Sequence, residues 1–107
     1  MHYQLTFFVP DTALDEVKAA VFSTGAGAQG DYTDCCFQVK GFGQFKPLAG
    51  ANPHIGEHNI LETVEEWRVE VLCDQSTVKA AVNALIAVHP YEEVAFSVTQ
   101  LVDVDLL

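Results

Sequence analysis

Basic side chains are scarce in this chain. Its 107 residues include 5 lysines and arginines against 15 aspartates and glutamates, which gives a formal net charge of −10. Nucleic-acid-binding proteins need a basic surface to replace the counterions of the phosphates, and anionic membranes also attract basic segments. The composition therefore argues against nucleic acid and membrane surfaces as partners. An acidic surface suits cations, basic partners or solubility alone.

Long apolar runs and paired cysteines are also missing. No stretch of about 18 apolar residues occurs, so we expect no membrane-spanning helix. The first residues, "MHYQLTFFVPD", contain no basic segment and no small-residue cleavage site, so we expect no secretory signal. The three cysteines, Cys35, Cys36 and Cys73, are odd in number and form no C-x-x-C motif. Free thiols of this kind are typical of a reducing compartment, and we predict a cytoplasmic protein.

Hydrophobic periodicity predicts the fold. Four segments alternate with the period of a β-strand, and two carry apolar residues at helical spacing. The strands are expected in "YQLTFFV", "DYTDCCFQVK", "ILETVEEWRVEVLC" and "VAFSVTQLV", and the helices in "DTALDEVKAAVFSTG" and "STVKAAVNALIAVH". This order predicts an α+β, ferredoxin-like βαββαβ sandwich, with two helices on one face of an antiparallel sheet. We expect a single domain over 1–107 with a long loop at about 41–60.

The other face of that sheet is expected to be open. In the second strand, the alternation places Cys35 in the core and Cys36 on the outer face. The outer face then combines apolar and polar side chains, namely Phe8, Cys36, Leu72 and Leu101 with Gln4, Thr6 and Gln38. Exposed apolar residues of this kind indicate sheet-to-sheet assembly, so we predict a homo-oligomer.

The glycines of "GAGAQG", Gly25, Gly27 and Gly30, match the spacing of a dinucleotide-binding loop. That loop follows a strand and opens a helix, whereas these glycines follow a helix and precede a strand. We therefore interpret them as a helix end and a turn with positive φ.

The segment "HPYEE" holds the most unusual side chains of the chain. His89 is expected to cap the second helix, because a positive charge interacts favourably with the last carbonyls, and Pro90 ends that helix. Tyr91, Glu92 and Glu93 have no such structural explanation, although a simple polar turn remains the alternative. We predict that these three residues and His89 form a ligand site.

Three residues of the glycine-rich loop could bind a metal ion. His54, Glu57 and His58 combine the imidazole and carboxylate ligands that suit a divalent cation such as zinc or copper. The H-x-x-E-H order resembles a zinc-protease motif, but that motif needs a helix, and Pro53 and Gly56 argue against one here. A solvated loop without a metal is the alternative.

Four segments, "GAGAQGDY", "GFGQFKPLAGANPHIG", "EEWRVEV" and "HPYEEVAF", in this order resemble the PII/CutA-like module of the Nif-three-like (YqfO-like) family. The resemblance covers nearly the whole chain. It implies the ferredoxin-like fold and packing into trimers of the PII/CutA kind or other oligomers, with a dimer as an alternative. The departures are His54, where an aromatic residue is expected, and Val94, where a proline is expected.

The resemblance also bears on activity. In larger members the module is inserted into a metal-binding body, which holds the histidine-rich di-metal site. We expect the module to stand alone here, so metal-dependent hydrolase or cyclohydrolase activity is not carried over. PII-like relatives sense small ligands through the loop between the second and third strands, and CutA-like relatives are associated with divalent cations.

The first functional hypothesis is thus a non-enzymatic, oligomeric module that binds a small ligand or a divalent metal. In an oligomer, the loop of one subunit would approach the "HPYEE" turn of a neighbour. The second hypothesis is a scaffold that binds a protein partner through the open sheet face or the loop. An enzyme is third, because no nucleophile is paired with a base and no catalytic residue is predicted.

Overall fold

The structure, a computed structural model, describes residues 2–107. The strands are β1 (His2–Pro10), β2 (Phe37–Phe45), β3 (Glu62–Asp74) and β4 (Phe96–Gln100), and the helices are α1 (Leu14–Phe22) and α2 (Val78–Val88). Short 3-10 turns follow β1, at Asp11–Ala13, and β4, at Val104–Leu106. The strands form one antiparallel sheet in the order β2-β3-β1-β4. The predicted βαββαβ ferredoxin-like fold is confirmed.

The core lies between the two central strands and the helices. Leu5 pairs with Val71 and Phe7 pairs with Val69 across β1 and β3, and all four side chains are fully or almost fully buried. The helices cover this face with apolar residues at helical spacing, namely Val17, Val21, Ala81 and Leu85. Alternation in the strands and a period of about 3.6 in the helices therefore direct the apolar side chains into one layer.

Local signals set the ends of α2. The carboxylate of Asp74 accepts hydrogen bonds from the backbone and hydroxyl of Ser76, at 3.0 and 2.6 Å, and this turn leads into the helix. The helix ends before His89, whose backbone is extended (φ −62°, ψ 136°). A residue that precedes proline is restricted to this region, so Pro90 ends the helix one residue earlier than we predicted.

The second strand differs from the sequence prediction in its bounds. It begins at Phe37 and continues through residues 41–45, which we had assigned to the loop. The residues before Phe37 lie outside the strand, and Asp34 among them has a left-handed backbone (φ 57°). The connection between β2 and β3 therefore covers residues 46–61, and we call it the flap loop.

The two faces of β2 are also reversed. Lys18 donates a hydrogen bond of 2.8 Å to Gln38, which places Gln38 on the helix side of the sheet. Val39 consequently lies on the open face, opposite Arg68 of β3, and is half exposed. Cys36 packs against the core, whereas Cys35 does not. The assignments of Cys35 to the core and of Cys36 and Gln38 to the open face were wrong.

The glycines after α1 have the structural role that we predicted. Gly25, Gly27 and Gly30 all have positive φ. Gly27 is buried, its N–H donates to the carbonyl of Leu72 at 2.9 Å, and a Cβ there would press on the carbonyl of Cys35. The motif therefore returns the chain from α1 to the sheet.

None of the helices within residues 2–107 is long and apolar enough to cross a lipid bilayer.

Candidate functional site

A cavity of about 270 Å³ lies between the flap loop and residues 89–95, the turn that joins α2 to β4. The loop contributes Pro47, Ala51, Pro53, His54 and Ile55, the turn contributes Tyr91, Glu92, Glu93 and Ala95, and the strands contribute Gln44, Phe45 and Glu66. The two segments that the sequence singled out thus meet within one chain. The contact we had expected between neighbouring subunits is made inside a single subunit.

Hydrogen bonds hold the flap loop in this position. The N–H of Asn52 donates to Oε1 of Glu92 at 2.8 Å, which links the loop to the turn. Within the loop, the N–H of Asn59 donates to the carbonyl of Pro47 at 2.6 Å, and Nε2 of His58 lies 2.7 Å from the carbonyl of Ala51. The loop is therefore folded back on itself and is joined to the turn through one carboxylate.

His89 supports the turn from behind. Its Nε2 lies 2.8 Å from the carbonyl of Phe8, which can only accept a hydrogen bond, and its Nδ1 accepts the N–H of Tyr91 at 3.1 Å. These partners require the neutral ring with the proton on Nε2. Burial lowers the pKa of His89, although the hydrogen bond to Phe8 and the charge of Glu66 oppose this shift. The expected role as a charged helix cap is wrong, because the ring joins β1 to the turn.

Tyr91 forms one wall of the cavity. Its ring packs against His89 in an edge-on arrangement with centroids 4.8 Å apart. The hydroxyl is buried and forms no hydrogen bond with any other described residue. The carboxylate of Glu66 acts on this hydroxyl through its charge and through a side-chain hydrogen-bonding contact, although the contact falls short of full hydrogen-bond geometry. Burial first, and then Glu66, raise the pKa of Tyr91 well above its usual range, so the phenol stays neutral.

Aromatic rings and carboxylates dominate the rest of the lining. The ring centroids of Phe45 and His54 lie 6.2 and 6.3 Å from that of Tyr91, tilted by 54° and 46°. Three glutamates line the cavity, and no lysine or arginine does. The carboxylate of Glu66 occupies the space where a Cβ of Gly43 would lie. Glycine at this strand position therefore makes room for the carboxylate of Glu66, a residue that lines the cavity.

The predicted site residues separate into two groups. His54, Tyr91, Glu92 and Glu93 line the cavity, whereas His89, Glu57 and His58 do not. Phe45 and Glu66 were missed by the sequence analysis. The signals for them were the glycine at 43, which marks a close approach, and the register that places both side chains on one sheet face.

The predicted metal ligands do not converge. Glu57 and His58 are exposed outside the cavity, and His58 is engaged with the backbone of Ala51. In the described part of the chain, no three His, Cys, Asp or Glu side chains are grouped so that they could hold a metal ion. Within one subunit, the donor set of His54, Glu57 and His58 does not fit zinc or copper.

Known proteins resemble this chain over most of its length. No protein-family model matches the chain. Over 95 residues, 89% of the chain, it is 46% identical to a GTP cyclohydrolase 1 type 2 homolog of Bacillus subtilis. Over 99 residues, 92% of the chain, it is 43% identical to a protein of the same name from Halalkalibacterium halodurans. These segments make up 26% and 27% of the two relatives, so the chain spans about a quarter of their length.

Solved structures also resemble this chain. A Bacillus cereus protein related to NIF3 superposes with a TM-score of 0.81 at 36% identity, covering 95% of this chain and 26% of that one. CutA from Xylella fastidiosa superposes at 0.67 and 19% identity, covering 98% and 88%. The B. subtilis GlnK–ATP complex superposes at 0.63 and 9% identity, covering 94% and 81%, so these last two show the fold alone. The resemblance seen in the sequence is confirmed: the chain corresponds to one segment of NIF3-related proteins and has the fold of CutA and of GlnK, a PII protein.

Proposed function

We propose that this chain is a non-enzymatic module that binds a small ligand in the cavity between the flap loop and the turn at residues 89–95, and that it acts as a homo-oligomer. One observation carries the proposal. The two segments with the least structural explanation in the sequence meet around a single cavity, and the loop is attached to the turn by the bond between Asn52 and Glu92. Ligand binding could therefore change the position of the loop.

The chemistry of the lining supports binding rather than catalysis. Both ring nitrogens of His89 are engaged in hydrogen bonds, so this histidine has no free position for proton transfer. The raised pKa of Tyr91 keeps the phenol from acting as a nucleophile near neutral pH. The cavity lining contains no cysteine, serine or lysine. These features support a ligand-binding role and argue against covalent catalysis.

Filling the cavity tests this proposal. Ala95 lines the cavity with an exposed side chain, so Ala95→Trp should occupy the space without disturbing the core. We would screen a small-molecule fragment library by protein-observed NMR against wild type, Ala95→Trp and the control Ala87→Trp, which changes an exposed position on α2. Ligands that bind wild type and Ala87→Trp but not Ala95→Trp would support the proposal. A library without any such ligand would contradict it.

Oligomer formation is proposed through the open sheet face. Phe37 and Val39 of β2 are 66% and 50% exposed, and both lie on the face that no helix covers. Sheets pack through such apolar faces, so Val39→Asp should lower the subunit number measured by native mass spectrometry. The control is Val102→Asp, which adds the same charge at an exposed residue after β4. Equal masses for wild type and Val39→Asp would remove the open face as the interface.

A protein scaffold is the second candidate, and the same exposed face favours it. If native mass spectrometry shows a monomer, this apolar face is left for a different protein partner. The metal hypothesis has its own test, because the ligands would have to come from more than one subunit. Zinc binding that is saturable in wild type and lost in the double variant His54→Ala/His58→Ala would support it.

A further inference from the structure

We infer that the cavity takes a small organic cation with an apolar body, and that it discriminates against anions such as phosphates and carboxylates. This inference rests on the proposed function and names the ligand class for the same cavity. It depends on the charge of the lining, the arrangement of the rings and the volume.

The charge of the lining favours a cation. Glu66, Glu92 and Glu93 surround the cavity, and neither a lysine nor an arginine is among the residues that line it. The chain as a whole is also negative, with a formal net charge of −10. An anion that enters would lose its hydration without gaining a positive partner, whereas a cation would gain carboxylates in a partly desolvated site.

The aromatic rings suit the same ligand. Tyr91 is flanked by Phe45 and His54 with ring centroids 6.2 and 6.3 Å away, and the tilted planes form the walls of a partial cage. Aromatic faces attract cations through their quadrupole, and cages of this kind bind organic ammonium groups. Pro47, Pro53 and Ile55 supply additional apolar surface for the uncharged part of the ligand.

The carboxylates of the lining also favour a ligand that carries N–H groups. The hydroxyl of Tyr91 is buried and lies against the carboxylate of Glu66, so it is not free for a ligand. A carboxylate oxygen only accepts hydrogen bonds, so it pairs with N–H donors and not with another acceptor. An ammonium, guanidinium or amidinium group offers this donor together with the positive charge.

The volume limits the size of the ligand. Pockets for drug-sized ligands have volumes of about 300–1,000 Å³, and this cavity, at about 270 Å³, lies just below that range. A single ring or a short alkyl chain with one cationic group fits this space better than a nucleoside triphosphate does. The volume and the charge of the cavity therefore both disfavour nucleoside triphosphates.

Three probes with one molecular shape and different charges test the inference. Benzamidine is a planar cation, benzamide is its neutral counterpart and benzoate is the anion. We would titrate each into the full chain and measure affinity from protein NMR shifts, at low and high salt. Benzamidine should bind saturably and about tenfold more tightly than benzamide, since cation–π and carboxylate contacts together supply that factor. Benzoate should bind more weakly still.

Variants separate the cavity from the overall charge of the protein. Glu93 is exposed at the rim, so Glu93→Gln should weaken benzamidine about threefold and leave benzamide unchanged. Glu92 is less suitable because it also holds the flap loop. The control is Glu16→Gln, an equal charge change on the exposed side of α1, which should leave both affinities unchanged. Ala95→Trp should abolish benzamidine binding.

Two outcomes would overturn the inference. One is equal or tighter binding of benzamide or benzoate, and the other is no saturable binding of benzamidine. If either of these outcomes is found but neutral or anionic fragments from the library bind in a manner that Ala95→Trp abolishes, the inference fails while the proposed function stands. If no fragment of any charge does so, both fail.

Discussion

The buried imidazole of His89 should make the folded state sensitive to moderate acid. Only 6% of the residue is exposed, and both ring nitrogens are bonded within the chain, to Phe8 and to Tyr91. Burial is the largest cause of its lowered pKa, and the charge of Glu66 opposes this shift whereas that of His54 adds to it. Protonation of Nδ1 would also break the hydrogen bond from Tyr91, because a protonated nitrogen cannot accept it.

The direction of the effect follows from proton binding. In the unfolded chain a histidine has a pKa of about 6.5, so the unfolded state takes up the proton before the folded state does. The stabilising contribution is fully present above about pH 6.5 and is lost as the pH falls toward the folded-state pKa. The free energy of unfolding therefore decreases between about pH 7.5 and about pH 5.5, by at most about 1.4 kcal/mol, which is the limit for a ring that stays neutral in the folded state.

Urea unfolding of matched variants measures this contribution. His89→Gln can still donate an amide N–H toward Phe8 but does not titrate. The difference in unfolding free energy between wild type and this variant should decrease over that pH range, by at most about 1.4 kcal/mol. His58→Gln removes an exposed imidazole and serves as the control. Identical pH dependences for wild type and His89→Gln would refute the reasoning that the ring is held neutral.

Three further predictions concern stability. The raised pKa of Tyr91 means that this tyrosine ionises in the unfolded chain before it does so in the folded one. In urea unfolding, wild type should therefore lose up to about 1.4 kcal/mol of unfolding free energy between about pH 9 and about pH 11, and Tyr91→Phe should not. The control Tyr32→Phe, at a 75% exposed position, should behave like wild type. Gly27→Ala should lower the free energy of unfolding by at least about 2 kcal/mol in urea unfolding, because φ is positive and the new Cβ would press on a carbonyl. Gly30→Ala should cost about half as much, because no atom lies within 4 Å of a Cβ placed there. Equal costs for the two variants would contradict the contact at Gly27. Leu85→Ala deletes a fully buried side chain and should cost about 3 kcal/mol by thermal or urea unfolding; a loss under about 1 kcal/mol would contradict its place in the core.

The fold could be predicted because its determinants are local or periodic. The alternation in β1 and β3 shows directly which face of each strand is buried, and the helical spacing in α1 and α2 does the same for the helices. Prediction failed at β2, an edge strand that packs less against the core, so both of its faces carry mixed residues. Phe37 and Val39 are apolar but exposed, so the alternation assigned their face to the core when it is the open one.

The site was predicted in part for a similar reason. Tyr91 and the two adjacent glutamates stood out because an ordinary turn does not need them. Phe45 and Glu66 did not stand out, since each fits a strand pattern and their convergence depends on the register between β2 and β3. The link between Asn52 and Glu92 crosses 40 positions and involves a backbone N–H, which no residue type can signal.

The central position of β1 has a consequence for synthesis on the ribosome. It is synthesised before the other three strands of the sheet, yet its two neighbours in the sheet are β3 and β4, with Tyr3 opposite both Cys73 and Gln100. The nascent strand must therefore wait until residues near 100 have left the exit tunnel before both of its edges are paired. During that interval an apolar strand with open edges is exposed, so an emerging chain should be a better chaperone substrate than the finished domain.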